Sequence, residues 1–182
     1  MGRHAEARAA AEEQCVQAER AGTAELLGTA RHDLGQVALA AGDFAEAERC
    51  LGEALASGAA VPRALARLAR ADALVHLGRA AEAQAELRAA TLEPLGPSDF
   101  PATLVPRLAR VQGLVAAARG DRAGAEAHLR EAADGWRRQL DAGERGVYWL
   151  DLGRPPVAGL VEPDRELEQI ERELAALDTV PA

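Results

Sequence analysis

The chain has 182 residues, a net charge of −8 and a pI near 5.1, and its 21 basic residues are all arginine, with no lysine and no asparagine. That composition excludes a lysine Schiff base, a Walker-type phosphate lysine and a Cys-His-Asn triad. The acidic balance argues against nucleic acid as a partner, because a nucleic-acid surface is basic.

Apolar residues make up 48% of the chain but aromatics only 3%, so a core has to be built from alanine and leucine. No run of 18 apolar residues exists, so no membrane span is expected. The N-terminus, MGRHAEARAAAEEQ, lacks the apolar region of a signal peptide. Cys15 and Cys50 share no CxxC spacing and read as reduced, structural thiols of a cytoplasmic protein.

Taken in chain order, Gly2-Arg-His-Ala-Glu-Ala-Arg opens a half-repeat over 1–21, with Gly2 as a turn glycine and Ala7 five residues on. Three self-similar segments follow: Leu34–Leu55, Leu68–Ala90 and Leu108–Ala133. Each has a glycine after an apolar helix (Gly42, Gly78, Gly120) and an alanine five residues later (Ala47, Ala83, Ala125). Each also has a leucine at nine (Leu51, Leu87, Leu129) and a further alanine at twelve (Ala54, Ala90, Ala132). The glycine permits a left-handed turn between two helices, the first alanine lets them lie close, and the leucine fills the layer between stacked hairpins. The predicted hairpins span 24–57, 61–91 and 102–142.

Thr91–Pro106 carries four prolines in 16 residues, and the spacing predicts a loop. This loop, with Phe100, either pads the edge of the array or closes over its inner face. After Leu140 the repeat fades, and 143–182 is read as an extension. It contains a short apolar stretch, Val147–Leu152, a break at Arg154-Pro-Pro, and a final helix over about 164–177 with Asp164 as N-cap. Leu167, Ile170, Leu174 and Leu177 form a seam on that helix, which either caps the last hairpin or pairs with a second copy as a homodimer. Trp136, Tyr148 and Trp149 either pack beneath the last helix or form an aromatic patch for a partner.

The residues Leu34-Gly35, Gly42, Phe44, Ala47, Leu51, Ala54 and Pro62 resemble the tetratricopeptide repeat, and the likeness runs over residues 2 to 135. The family's first-helix tryptophan is missing, and Ala80 and Arg122 replace the aromatic in the second and third copies. The glycines are 36 and 42 residues apart, against a family period of about 34. The resemblance implies an all-α fold: a right-handed superhelical array of antiparallel helical hairpins with a C-terminal capping or dimerising helix. A second resemblance is carried by Gly2–Arg8, Pro106-Arg-Leu-Ala-Arg-Val-Gln-Gly-Leu, Ala133-Asp-Gly-Trp-Arg-Arg and Asp151-Leu-Gly-Arg-Pro-Pro-Val-Ala-Gly-Leu-Val-Glu-Pro. These phrases are similar to the helical repeat region of large ATP-dependent LuxR-type regulators of actinobacteria. They imply a regulatory scaffold. ATP hydrolysis and DNA binding are not implied, because the chain has no GxxxxGK[ST] and no basic recognition helix.

No catalytic constellation is visible. His4, His32, His76 and His128 form no HExxH or close His/Cys pair, so neither metal nor cofactor is expected. Glu12-Glu13, Glu46/Glu48 and the acidic run from Glu162 to Glu173 read as solvated helix faces. Ser57 and Ser98 lie in no nucleophile motif. In a tetratricopeptide-like hairpin the first helix lines the concave groove, at about 13, 10, 6 and 2 residues before the turn glycine. Those positions are Thr29, His32, Gln36 and Ala40; Leu65, Leu68, Asp72 and His76; and Arg107, Arg110, Leu114 and Ala118. The candidate groove residues are therefore His32, Gln36, Asp72, His76, Arg107 and Arg110. Two arginines one turn apart suit a carboxylate or phosphate, unless they pair with Asp72 or loop carboxylates. The expected function is a non-catalytic protein-interaction module, a regulatory scaffold or adaptor with a protein or peptide partner. The alternatives are a sensor of an anionic small molecule and a homo-oligomeric scaffold. A receptor for chaperone tails is not expected, since that clamp uses lysine and asparagine.

Overall fold

A computed structural model of the chain describes residues 2–57, 63–93, 101–141 and 163–179. All the regular structure among them is helical: α1 (Gly2–Ala21), α2 (Ala24–Ala41), α3 (Phe44–Ala56), α4 (Arg63–His76), α5 (Ala80–Leu92), α6 (Pro101–Ala118), α7 (Arg122–Asp141) and α8 (Pro163–Thr179). The fold is all-α, with helices packed as sequential hairpins α2–α3, α4–α5 and α6–α7. Two compact units are distinguished. One contains α1 to α5 and the other α6 to α8. Tyr148, Trp149, Phe100, Ser98 and the Arg154-Pro-Pro break lie outside the described residues.

Four turns share one geometry. Gly22, Gly42, Gly78 and Gly120 all have positive φ, from 66° to 79°. At Gly42 the amide donates to Leu39 O at 3.0 Å and the next amide, Asp43, to Ala38 O at 2.9 Å. Gly78 and Arg79 repeat this on Val75 O and Leu74 O, and Gly120 and Asp121 on Ala117 O and Ala116 O. Each pair satisfies carbonyls that the helix end would otherwise leave open. Gly22 does the same between α1 and α2, on Glu19 O and Ala18 O. The sequence reading recognised three of these turns and missed Gly22, because it lies between hairpins and not inside one. The following helices α3 and α7 are capped by Asp43, which accepts from Glu46 N, and by Asp121, which accepts from Gly124 N at 2.9 Å.

All nine small or leucine positions of the repeat are buried: Ala47, Leu51 and Ala54; Ala83, Leu87 and Ala90; Ala125, Leu129 and Ala132. The reason for small residues is visible at Gly35 and Gly113. A Cβ on Gly35 would lie 2.6 Å from Leu51 Cγ, and one on Gly113 would lie 2.8 Å from Leu129 Cγ. Each leucine therefore sits directly on the backbone of the first helix. In the first unit Ala38, Ala47, Leu51, Ala66, Ala69 and Ala73 form one cluster from α2, α3 and α4, with Phe44 and Leu55 packed against it. Ala11, Leu34 and Cys50 form a second, against which Cys15 packs, and this seats α1.

Two expectations are corrected. The proline-rich stretch is not all loop, because α5 runs to Leu92 and α6 starts at Pro101. Proline at the first helical position gives up a donor that has no partner there in any case. Pro106 lies inside α6, where it removes a helix hydrogen bond. Gly135 of α7 makes room for its ring, since a Cβ there would be 2.8 Å from Pro106 Cβ. In α8, Pro163 is the first helical residue and Asp164 lies within the first turn instead of capping it. The seam of α8 faces its own hairpin. Ile170 is fully buried with Ala109, Leu129, Ala132, Ala133 and Trp136, and Leu167, Leu174 and Leu177 pack against that cluster.

Gly35→Ala is expected to destabilise the chain by about 1–3 kcal/mol through overpacking on Leu51. Gly42→Ala should cost about 1–2 kcal/mol through its left-handed backbone. Urea unfolding midpoints check both, and an unshifted midpoint for Gly35→Ala would mean that Leu51 does not set the helix spacing.

Candidate interaction face

The first helices of the first unit carry polar side chains where a purely structural helix would carry alanine or leucine. His32 on α2 is 6% exposed and Asp72 on α4 is 7% exposed. His32 Nδ1 lies 3.3 Å from Asp33 Oδ1, and its Nε2 lies 3.4 Å from Gln36 Nε2. An imidazole with its proton on Nδ1 meets both neighbours, donating to the carboxylate and accepting from the amide. Asp72 Oδ1 lies 3.4 Å from His76 Nε2. The His76 ring stacks on Phe44, with centroids 4.1 Å apart and planes 11° off parallel. Phe44, the first residue of α3, thus holds the end of α4 and orients the Asp72–His76 pair.

The six groove residues fall into two sets. His32, Gln36, Asp72 and His76 belong to the first unit, and Arg107 and Arg110 to the second. Within the first unit Gln36 is half-buried and His76 exposed, while Leu65 and Leu68, at inward positions of the same register, are fully buried and serve packing. In the second unit Arg110 grips Glu173 of α8 through two nitrogens, at 3.1 and 2.6 Å. Both side chains are about nine-tenths buried, at 12% and 11% exposed. Gln169 Nε2 donates to the same carboxylate at 3.0 Å. Arg107 is half-buried and makes no ion pair among the described residues.

A larger charged feature was not read from the sequence. Arg63, Arg67 and Arg70 share one face of α4. Arg70 donates to Glu48 of α3 at 2.6 Å and to Glu86 of α5 at 2.7 Å. Arg67 bridges Glu86 and Glu93, both at 2.9 Å, and Arg63 reaches Glu93 at 3.2 Å and Leu55 O at 3.3 Å. Arg79 extends the chain of pairs to Glu48 and Glu82. The i, i+4, i+7 spacing of the three α4 arginines is the signal that could have found it. Glu93 is held below the ordinary carboxylate range, chiefly because Arg67 donates to it, with Arg63 adding. Arg79 does the same to Glu82, and Arg49 to Glu46.

Both cysteines are free, and their surroundings disfavour the thiolate. Burial pushes the Cys50 thiol up to about 12, and Glu46 adds to the shift. Burial also raises Cys15. Among the described residues no three His, Cys, Asp or Glu side chains come together as a metal site, and no helix is long and apolar enough to cross a membrane.

The chain carries tetratricopeptide repeats at three positions: residues 28–53, 64–89 and 106–131 each match the model of that family. No curated protein and no solved structure matches the chain.

Because the folded pKa values of Glu46, Glu82 and Glu93 are lowered, the unfolded chain binds more protons in acid. The stability they contribute is complete above the unfolded value near 4.3 and is lost as the pH falls through the lower folded values. The melting temperature is expected to fall as the pH drops from about 5 to 3, and Glu93→Gln should flatten part of that fall. An identical pH profile for the variant would remove Glu93 from the account.

Proposed function

We propose that the chain is a non-catalytic protein-interaction module, a regulatory scaffold or adaptor, and that the first-helix face of α2 and α4 receives a segment of a protein partner. The observation that carries this reading is the polar set His32, Gln36, Asp72 and His76. Gln36 and Asp72 both lie six residues before a turn glycine, with His32 ten before Gly42 and His76 two before Gly78, in a unit whose interior is mainly alanine and leucine. A buried or half-buried polar group is the informative departure from such a core. Tetratricopeptide repeats are in general protein-binding modules, which agrees with it. The likeness to the repeat region of LuxR-type regulators supports the regulatory part of the proposal, and an assignment to bacterial cytoplasm goes with it.

A second reading, a sensor for an anionic small molecule, rests on Arg107, which stands one turn from Arg110 and makes no ion pair among the described residues. Arg110 itself is turned to Glu173, so this reading needs Arg107 to act first.

The test is capture from the native lysate with the wild-type chain and with Gln36→Ala/His76→Ala, both checked for an unchanged helical spectrum. A partner retained by the wild type and reduced at least about tenfold by the double variant, a loss of about 1.4 kcal/mol, is the expected result. A partner held equally by both would move the contact off this face. A melting shift with acidic metabolites that Arg107→Ala abolishes would favour the sensor instead.

A further inference from the structure

His32 carries chemistry that the packing of α2 does not need. Its ring is 6% exposed, in a helix whose other buried residues are alanine, glycine, leucine and valine. Two side chains hold it. Nδ1 lies 3.3 Å from Asp33 Oδ1, and Nε2 lies 3.4 Å from Gln36 Nε2. A carboxylate only accepts, so Nδ1 keeps its hydrogen whatever the charge of the ring. An amide nitrogen only donates, so Nε2 presents a lone pair to it. Asp33 therefore fixes the tautomer, and the tautomer fixes which end of the Gln36 amide turns inward. The other end, Gln36 Oε1, accepts from no described residue, and the side chain is half-buried.

We infer that His32 and Gln36 form a proton-driven switch, in which a proton taken up at His32 Nε2 turns the Gln36 amide end for end and exchanges an acceptor on α2 for a donor. With the ring neutral, Gln36 Nε2 donates inward and Oε1 points away from the ring. With the ring charged, Nε2 of His32 becomes a donor and meets another donor. The amide relieves that clash by rotating, so that Oε1 accepts from the ring and the NH2 group turns outward. One proton is bound from solvent, and the buried charge is paired with Asp33 from the start. An imidazole is the side chain whose charge ordinarily changes between about pH 5 and 8. α2 packs against α1, α3 and α4. On α1, Arg8 is engaged by Glu12 and Asp43, and burial keeps Cys15, with Glu19 near it, a thiol. On α3, Glu46 and Glu53 are held by Arg49, Arg31 of α2 also reaches Glu53, and Cys50 stays a thiol. On α4, Asp72 lies against His76. Among the described residues none of these groups hydrogen-bonds to the His32 ring. The consequence for a partner rests on the α2/α4 reading above: the face would take an N–H group from it above the transition and a carbonyl below. The switch itself does not rest on that reading.

The test uses the full chain alone, labelled with nitrogen-15, so it succeeds or fails independently of whether a partner binds. Two-dimensional NMR follows the ring nitrogens of His32 and the side-chain NH2 group of Gln36 from about pH 8 to 5, the range in which imidazole titrates. Gln36→Leu and His32→Leu identify the two sets of signals by their loss. At the alkaline end the hydrogen is expected on Nδ1 of His32. On acidification the Gln36 NH2 signals should shift with the same midpoint as the ring, and His32→Leu should abolish that shift. Asp33→Asn keeps the question open where His32→Leu does not fold: with the tautomer no longer fixed, a form with its hydrogen on Nε2 should appear at the alkaline end. A hydrogen on Nε2 of the unmodified chain at pH 8 would overturn the switch. So would Gln36 signals that stay still while the ring titrates, or a ring that stays neutral throughout.

Discussion

The separation between the two helices of a hairpin is the constraint on which the rest depends. In α2–α3 and α6–α7 a leucine from the second helix rests on a glycine of the first, and there is no space for even a methyl group between them. That contact requires the chain to reverse within two or three residues, which the left-handed glycines allow, with both freed carbonyls satisfied by the amides that follow. Close helices need small interior residues, and the alanine-rich composition supplies them. Hairpin two carries Ala71 where the others have glycine, and it too is fully buried.

A core of alanine buries little apolar surface per residue, since the hydrophobic gain scales with area. The first unit compensates at its edge with ordered charge. Glu48, Glu86 and Glu93 are each shared between two arginines drawn from α4 and the α4–α5 turn. Arginine rather than lysine suits this role, because its planar fork can serve two carboxylates at once. Isolated surface pairs contribute little, but here the acceptors are mostly buried and the pairs link three successive helices. The absence of lysine from the sequence thus has a structural counterpart in how α3, α4 and α5 are fastened.

What the sequence made legible was whatever is fixed by offsets within one hairpin. Turn glycines, the alanine at five and the leucine at nine are local, and their burial follows from helical geometry alone. What it hid depended on a neighbour distant in sequence. Pro106 is tolerated in α6 because Gly135, 29 residues on, leaves room for its ring. The pairing of Arg110 with Glu173 spans 63 residues, and no local pattern distinguishes it from an arginine facing an open groove. The Arg–Glu chain of α4 lay between these extremes. Its arginine spacing was visible, but its acceptors came from two other helices.

The same distinction separates the two faces considered for function. On α2 and α4 the polar groups lie against residues close in sequence: His32 against Asp33 and Gln36, and Asp72 Oδ1 3.4 Å from His76 Nε2. Pairs that are local in sequence can exchange partners without unpacking a helix, because each carries its own support. On α6 the charge is satisfied by another helix entirely, so engaging Arg110 with anything else requires α8 to leave. The proposed α2/α4 face would therefore receive a partner on a fixed scaffold, whereas any ligand of Arg110 would have to compete with Glu173 of α8.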